Sequence, residues 1–235
     1  MTTVEVAGGT LEGATVAGGT HGRPVHWFGS VPYASAGRFQ APAPVVPWAG
    51  ARPATTASPA PPQRSDGLDL VPGMTPDTTS EDCLTAEVWT PDPDGCAPVL
   101  VWIPGGSYRV GGAGLATYDG RHLAADGDLV VVGLNYRLGM LGFLHAEGVP
   151  SNLGLRDLRA ALDWIRAEIG AFGGDPRRIT LMGESAGAGC ILHLLTDPQL
   201  DVAGAIVLSG SPTMTQHPST AAMVAATVLD LACAS

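Results

Sequence analysis

Apolar residues along this chain follow two regimes. Up to about residue 34 they alternate with polar ones, in short runs at 2–7, 13–16 and 25–33 broken by Gly8-Gly9 and Gly18-Gly19. That period of two predicts an antiparallel meander. From about residue 80 the apolar stretches become continuous, at 98–103, 129–134 and 203–208, as expected of strands covered on both faces. Residues 84–90 and 179–182 are further candidate strands. Between them Leu158, Leu162, Ile165 and Ile169 recur at three- and four-residue steps, the apolar face of one helix. Arg156, Asp157, Arg159, Asp163 and Arg166 fall on its other faces, with Asp163 and Arg166 spaced to pair. Asn152 stands where an N-cap belongs, and the glycines between 170 and 174 end the helix. Residues 219–232 also read as helix. Strands alternating with helices predict a mostly parallel α/β sheet flanked by helices, with the antiparallel strands at its N-terminal side.

Between the regimes lies a proline-rich stretch, 41–62, with seven prolines. It reads as a polyproline-like surface loop without regular structure, and Trp48 within it as a packing anchor.

One turn stands out chemically. The run 179–182 enters Gly183-Glu184-Ser185-Ala186-Gly187, and a second apolar segment leaves it. Strand, G-x-S-x-G turn and helix together are the context of a nucleophile elbow. Glycines two residues either side of Ser185 let strand and helix pass closely, and Ser185 sits at a helix N-terminus, where developing negative charge is favoured.

Composition narrows the alternatives. Net charge is −10, and all twelve basic residues are arginine. No basic patch of any size can be assembled, so nucleic acid is not an expected partner. The absence of lysine excludes a Walker A loop and a lysine Schiff base. Cys83, Cys96, Cys190 and Cys233 have no metal-ligand spacing, and neither metal nor cofactor is expected. Free thiols in the cytoplasm are the expectation, with a Cys83–Cys96 bridge left open. No apolar run reaches the ~18 residues of a membrane span, and no signal peptide is visible.

An acyl-transfer serine needs a base, a group that orients the base, and N–H donors for an oxyanion. The donors are expected at Gly106, Ser107 and Ala186. The first two lie in the Pro104-Gly105-Gly106-Ser107-Tyr108 loop after the strand at 98–103, and the last follows Ser185. Gly105 supports that loop. The base is harder to place. His193 lies eight residues along the same helix, carried off by about 12 Å of helix rise. His217 is a weak candidate base, and Asp197, Asp201 and Asp230 have no evident strand-end setting.

At these residues the sequence resembles the type B carboxylesterases, the cholinesterase-like branch of the α/β-hydrolases. Blocks in the same order run through nearly the whole chain: Phe28 to Ala34, Ser80-Glu81-Asp82-Cys83-Leu84, Asn135-Tyr136-Arg137-Leu138-Gly139, Phe172 to Pro176, and the elbow. The resemblance implies an α/β-hydrolase fold and hydrolysis of a small-molecule ester through an acyl-enzyme on Ser185. It also implies a buried Glu184 beside the nucleophile, and structural ion pairs Arg38–Glu81 and Arg137–Asp175.

Three departures accompany it. The oxyanion loop begins with Pro104 where the family has histidine and carries Ser107 at its third following position. No cysteine precedes Cys83. Family members are much longer, with the triad acid and histidine beyond residue 235. The expectation is a single domain over 1–235, the N-terminal portion of the fold, with the strand at 203–208 an open apolar edge prone to self-association. An inactive fragment or a non-enzymatic binding module of the same fold is the alternative.

Overall fold

A computed structural model describes residues 1–64 and 71–233. Nine strands form one sheet in the order β1-β2-β3-β5-β7-β6-β8-β9, with β4 paired to β2. The meander is β1 (Thr2–Val6), β2 (Gly9–Gly18) and β3 (Arg23–Pro32), all antiparallel. β5 (Thr85–Thr90) is antiparallel to both β3 and β7. Expectation had placed it among the parallel strands. The six residues between it and β6, which lies one strand away across β7, are too few to carry the chain back to the same end of the sheet, so the two run in opposite directions. The parallel set is β7 (Val130–Leu134), β6 (Ala97–Ile103), β8 (Gly174–Glu184) and β9 (Gly204–Leu208).

The helices are α1 (Arg121–Gly127), α2 (Gly139–Phe143), α3 (Leu153–Glu168), α4 (Ala186–Leu194) and α5 (Pro218–Cys233). α3 and α4 cover one face, where Leu158, Leu162, Ile165, Cys190 and Ile191 pack with Val99, Val101, Val132 and Leu181. α1 covers the other through Ala124 and Ala125 against Val25, Trp89 and Val131. β7 is buried at every position, which accounts for its unbroken apolar run.

The proline-rich stretch is not wholly irregular. β4 (Ala51–Ala54) adds to β2 in parallel, with Pro53 tolerated because the strand lies at an edge. Trp48 is the anchor expected: its ring sits over Gly8 and Gly9, and its indole N–H donates to the Thr10 carbonyl.

Several pairings differ from expectation. Arg137 binds Asp157, not Asp175, with guanidinium-to-carboxylate distances of 2.6 and 2.8 Å, and both side chains are almost fully buried. Asp157 therefore faces inward from the first turns of α3, where the helical pattern had set it outside. Asp175 instead binds Arg177 and Arg178, its neighbours along the chain. Asp163 pairs with Arg159 one turn back, and Arg166 with Asp201. Asn152 occupies the cap position of α3 in the left-handed region but makes no side-chain cap. Gly173 ends the following 3-10 turn at φ 74°, as the glycine run suggested. Arg38 and Glu81 do pair, on the surface.

The strand at 203–208 is the open apolar edge expected, although its unbroken apolar run is of the kind found in strands covered on both faces: Ile206 and Leu208 are 42% and 41% exposed, and among the described residues β9 pairs with β8 alone. No described helix is long and apolar enough to cross a membrane.

Candidate active site

Ser185 stands where β8 ends and α4 begins, at φ 52° and ψ −117°. A non-glycine residue at positive φ outside the left-handed helical region is strained, and such strain persists only where surrounding structure enforces it. Here the enforcement is visible. The Ser185 N–H donates to the Leu208 carbonyl at 2.8 Å, and its own carbonyl accepts from Gly189 N–H at 2.9 Å, starting α4. The flanking glycines are sterically required. A Cβ on Gly187 would lie 2.0 Å from the Ile103 carbonyl oxygen, and one on Gly183 would lie 2.8 Å from the Gly187 backbone.

The loop after β6 lies directly against this turn. A Cβ at Gly105 would come within 3.4 Å of the Ser185 Cβ and 2.7 Å of the Glu184 carbonyl. The loop then doubles back tightly, with the Gly106 carbonyl accepting from Arg109 and Val110 N–H groups. Gly106, Ser107 and Tyr108 all have positive φ, at 111°, 55° and 59°. Among the described residues no acceptor is hydrogen-bonded to the N–H groups of Gly106, Ser107 or Ala186. The last is one of the orphan donors at the start of α4. Among the described residues the three expected donors are thus without an acceptor, and their loop and turn are in contact.

What fixes the loop was not assigned a role from sequence. Tyr136 is fully buried, and its hydroxyl donates to the Pro104 carbonyl at 3.0 Å. Asn135 Oδ1 accepts from Ala113 N–H at 2.7 Å at the loop's far end, and Asn135 Nδ2 donates to the Pro59 carbonyl. Two consecutive residues after β7 therefore hold both ends of the 104–113 segment. The space beneath it, among Pro104, Gly105, Val110, Tyr136 and Leu138, leaves no room for water. The sequence marked both residues only as part of a family block directly following a buried strand, with no task attached. Burial raises the Tyr136 phenol well above its ordinary range, so it remains a neutral donor.

Glu87 is a second buried polar group that the sequence left unmarked. It accepts from Trp27 Nε1 and from the backbone N–H groups of Ser30 and Ser58, tying β3 and the proline-rich stretch to β5. Burial raises its carboxyl above the usual range, opposed by those donors.

Glu184 is exposed, against the expectation of burial. It ends β8 in register with Leu208, which is itself exposed on the edge strand. His217 is exposed and its Nδ1 engages the Ser219 hydroxyl. His193 lies in the last turn of α4. Among the described residues no imidazole is hydrogen-bonded to Ser185. Cys83, Cys96 and Cys190 are free thiols, as expected, so no Cys83–Cys96 bridge forms; the side chain of Cys233 lies outside the described residues. Burial pushes the Cys83 and Cys190 thiols up to about 12, which leaves them inert as nucleophiles. No group of His, Cys, Asp and Glu among the described residues is arranged to hold a metal.

The sequence pattern described as the Carboxylesterase family matches residues 1–232. The chain belongs to the carboxylesterase family. Among its relatives, a para-nitrobenzyl esterase of Bacillus subtilis (strain 168) is 46% identical over 189 residues, covering 77% of this chain and 38% of that one. An acetylcholinesterase of Gallus gallus is 41% identical over 225 residues, covering 89% of this chain and 29% of its own. A solved PNB esterase structure superposes with a TM-score of 0.88 at 41% identity, covering 97% of this chain and 48% of that chain. The carboxylesterase fold is therefore an α/β-hydrolase fold here, and the chain spans less than half the length of these relatives.

Proposed function

We propose that this chain carries the nucleophile and oxyanion hole of a serine carboxylesterase acting on small-molecule esters. The observation that carries this reading is Ser185 held at positive φ, with three N–H groups on the loop and helix that meet there and no acceptor for them among the described residues. In the proposed reaction Ser185 Oγ adds to the ester carbonyl as a base removes its proton. The oxygen, now negative, is received by the N–H groups of Gly106, Ser107 and Ala186. Collapse breaks the C–O bond to the alcohol, which leaves with the proton returned by the base. Water then attacks the acyl-enzyme by the same route and releases the acid. Each oxyanion donor is worth about 2.7–4 kcal/mol in the transition state.

The hydrogen bond of His217 to Ser219 and the position of His193 support a base from outside these 235 residues. The relatives' greater length supports the same view, as does reading 1–235 as the N-terminal part of one domain. The three free thiols support a cytoplasmic setting.

The test is chemical rescue. Exogenous imidazole is added to the chain with a nitrophenyl ester, and a fluorophosphonate adduct is mapped by mass spectrometry. The expected result is an adduct on Ser185 and a rescued rate that Ser185→Ala removes. A rate and an adduct that survive the substitution would overturn the proposal.

A further inference from the structure

Gln63 makes a contact that the proposed chemistry has not used. It follows directly on the proline-rich stretch, half-buried, and its carboxamide meets the backbone of Gly111 twice. Nε2 donates to the Gly111 carbonyl at 2.7 Å, and Oε1 accepts from the Gly111 N–H at 2.9 Å. Nε2 also donates to the Pro61 carbonyl at 3.0 Å. Gly111 is buried, and this one side chain satisfies both of its backbone groups.

The contact has a firm base and a direct line to the elbow. Three residues before Gln63, Ala60 bridges to Thr79, its N–H donating to the Thr78 carbonyl and its carbonyl accepting from Ser80 N–H. Asn135 Nδ2 donates to the adjacent Pro59 carbonyl. On the far side, Gly111 lies against the start of the loop. Its φ is 112°, and a Cβ there would come within 2.6 Å of the Gly105 carbonyl oxygen. Gly105 packs on the elbow in turn, where an added Cβ would meet the Ser185 Cβ at 3.4 Å. Gln63, Gly111, Gly105 and Ser185 thus form an unbroken line of contacts.

We propose that Gln63 is a positioning residue for the loop after β6. By gripping both backbone groups of Gly111 it presses Gly105 against the elbow and sets the directions of the Gly106 and Ser107 N–H groups. The consequence for an oxyanion rests on the esterase reading above; the hold on the loop does not. Donors of this kind act only from about 2.7–3.1 Å, so a small drift of the loop removes their effect. Tyr136 holds the loop where it starts, at Pro104, and Asn135 holds it at Ala113. Gln63 holds the return between them, just past the positive-φ run at 106–108. The grip needs a donor and an acceptor on one planar group, which a carboxamide has and a carboxylate lacks.

That difference supplies the test, on the full 235-residue chain with Gln63→Glu and Gln63→Ala. Amide exchange is followed at 105–111, with β7 and α3 as internal references, and fluorophosphonate labelling of Ser185 is timed with imidazole present. At about pH 8 the carboxylate of Gln63→Glu sets an acceptor against the Gly111 carbonyl; once protonated it regains a donor while keeping an acceptor. At the higher pH both variants should exchange faster at 105–111 and label at least ~10-fold more slowly than the parent chain, with β7 and α3 unchanged. On acidification, with each rate taken relative to the parent chain at the same pH, Gln63→Glu should recover and Gln63→Ala should not. Parent-like exchange at 105–111 in both variants would overturn the proposal. So would a loss in Gln63→Glu that acid does not reverse, because that loss is one of packing. Quickened exchange with unchanged labelling would overturn the positioning role. If exchange follows the expected pattern while the parent chain itself takes no label at Ser185, the hold on the loop stands and the esterase chemistry is rejected.

Discussion

The two edges of the sheet are finished differently. At one, β1 exposes Glu5 and the adjoining β4 exposes Arg52 and Pro53, so polar or proline residues meet water and discourage a further strand. At the other, five uncharged residues of β9 stand open, followed by a helix with a large apolar exposed surface. The first edge is blunted by charge and proline, and the second is not. The contrast extends inward. From β3 to β8, buried polar groups are tied by named partners: Glu87 to three N–H donors, Asn135 and Tyr136 to the loop after β6, and Arg137 to Asp157. From β9 onward the side chains are largely exposed. Ser185 sits on the boundary, between the tied loop after β6 and the open strand β9 that accepts its N–H.

Substitutions should report this difference directly. The largest effect is expected from Arg137→Met, which leaves the Asp157 carboxylate buried without its cation and should cost about 3–5 kcal/mol in urea unfolding. An unchanged midpoint would show that the tied side is less rigid than its burial implies. Gly187→Ala comes next. The added methyl has a backbone oxygen 2.0 Å away, so strand or helix must shift, at about 3 kcal/mol and with loss of any Ser185 reactivity. Tyr136→Phe should cost about 1–2 kcal/mol, because the Pro104 carbonyl is left buried without its donor. It should also quicken amide exchange through residues 105–110 more than elsewhere. The smallest effect is expected on the open side, where Met223→Ala should change stability by less than about 0.5 kcal/mol. A loss comparable to that of Tyr136→Phe would mean that α5 is already covered.

Much of this arrangement is legible in sequence, for identifiable reasons. The period-two run before residue 34 and the continuous runs after 98 locate all the long strands, because side-chain alternation records how many faces are buried. The elbow is legible because a strained turn restricts its residues to glycine at fixed spacing. The ion pairs were harder. A charge on a helix records its spacing to neighbours on that helix, not which strand lies beneath it. Asp157 therefore reads as a surface residue until Arg137 arrives from the end of β7. Tyr136 and Asn135 belong to a recognisable block, yet their task depends on a loop some twenty to thirty residues earlier in the chain.

By itself, then, the sequence determined the strand and helix order, the proline-rich excursion, the family, and the turn that carries Ser185. These depend on local periodicity, local sterics and short motifs. Tertiary structure alone decided that Glu184 faces solvent, that Arg137 pairs with Asp157, and that the loop after β6 is held from below by Asn135 and Tyr136. Each of these turns on which distant segment is packed alongside, and an apolar run reads the same whether a neighbour covers it or not.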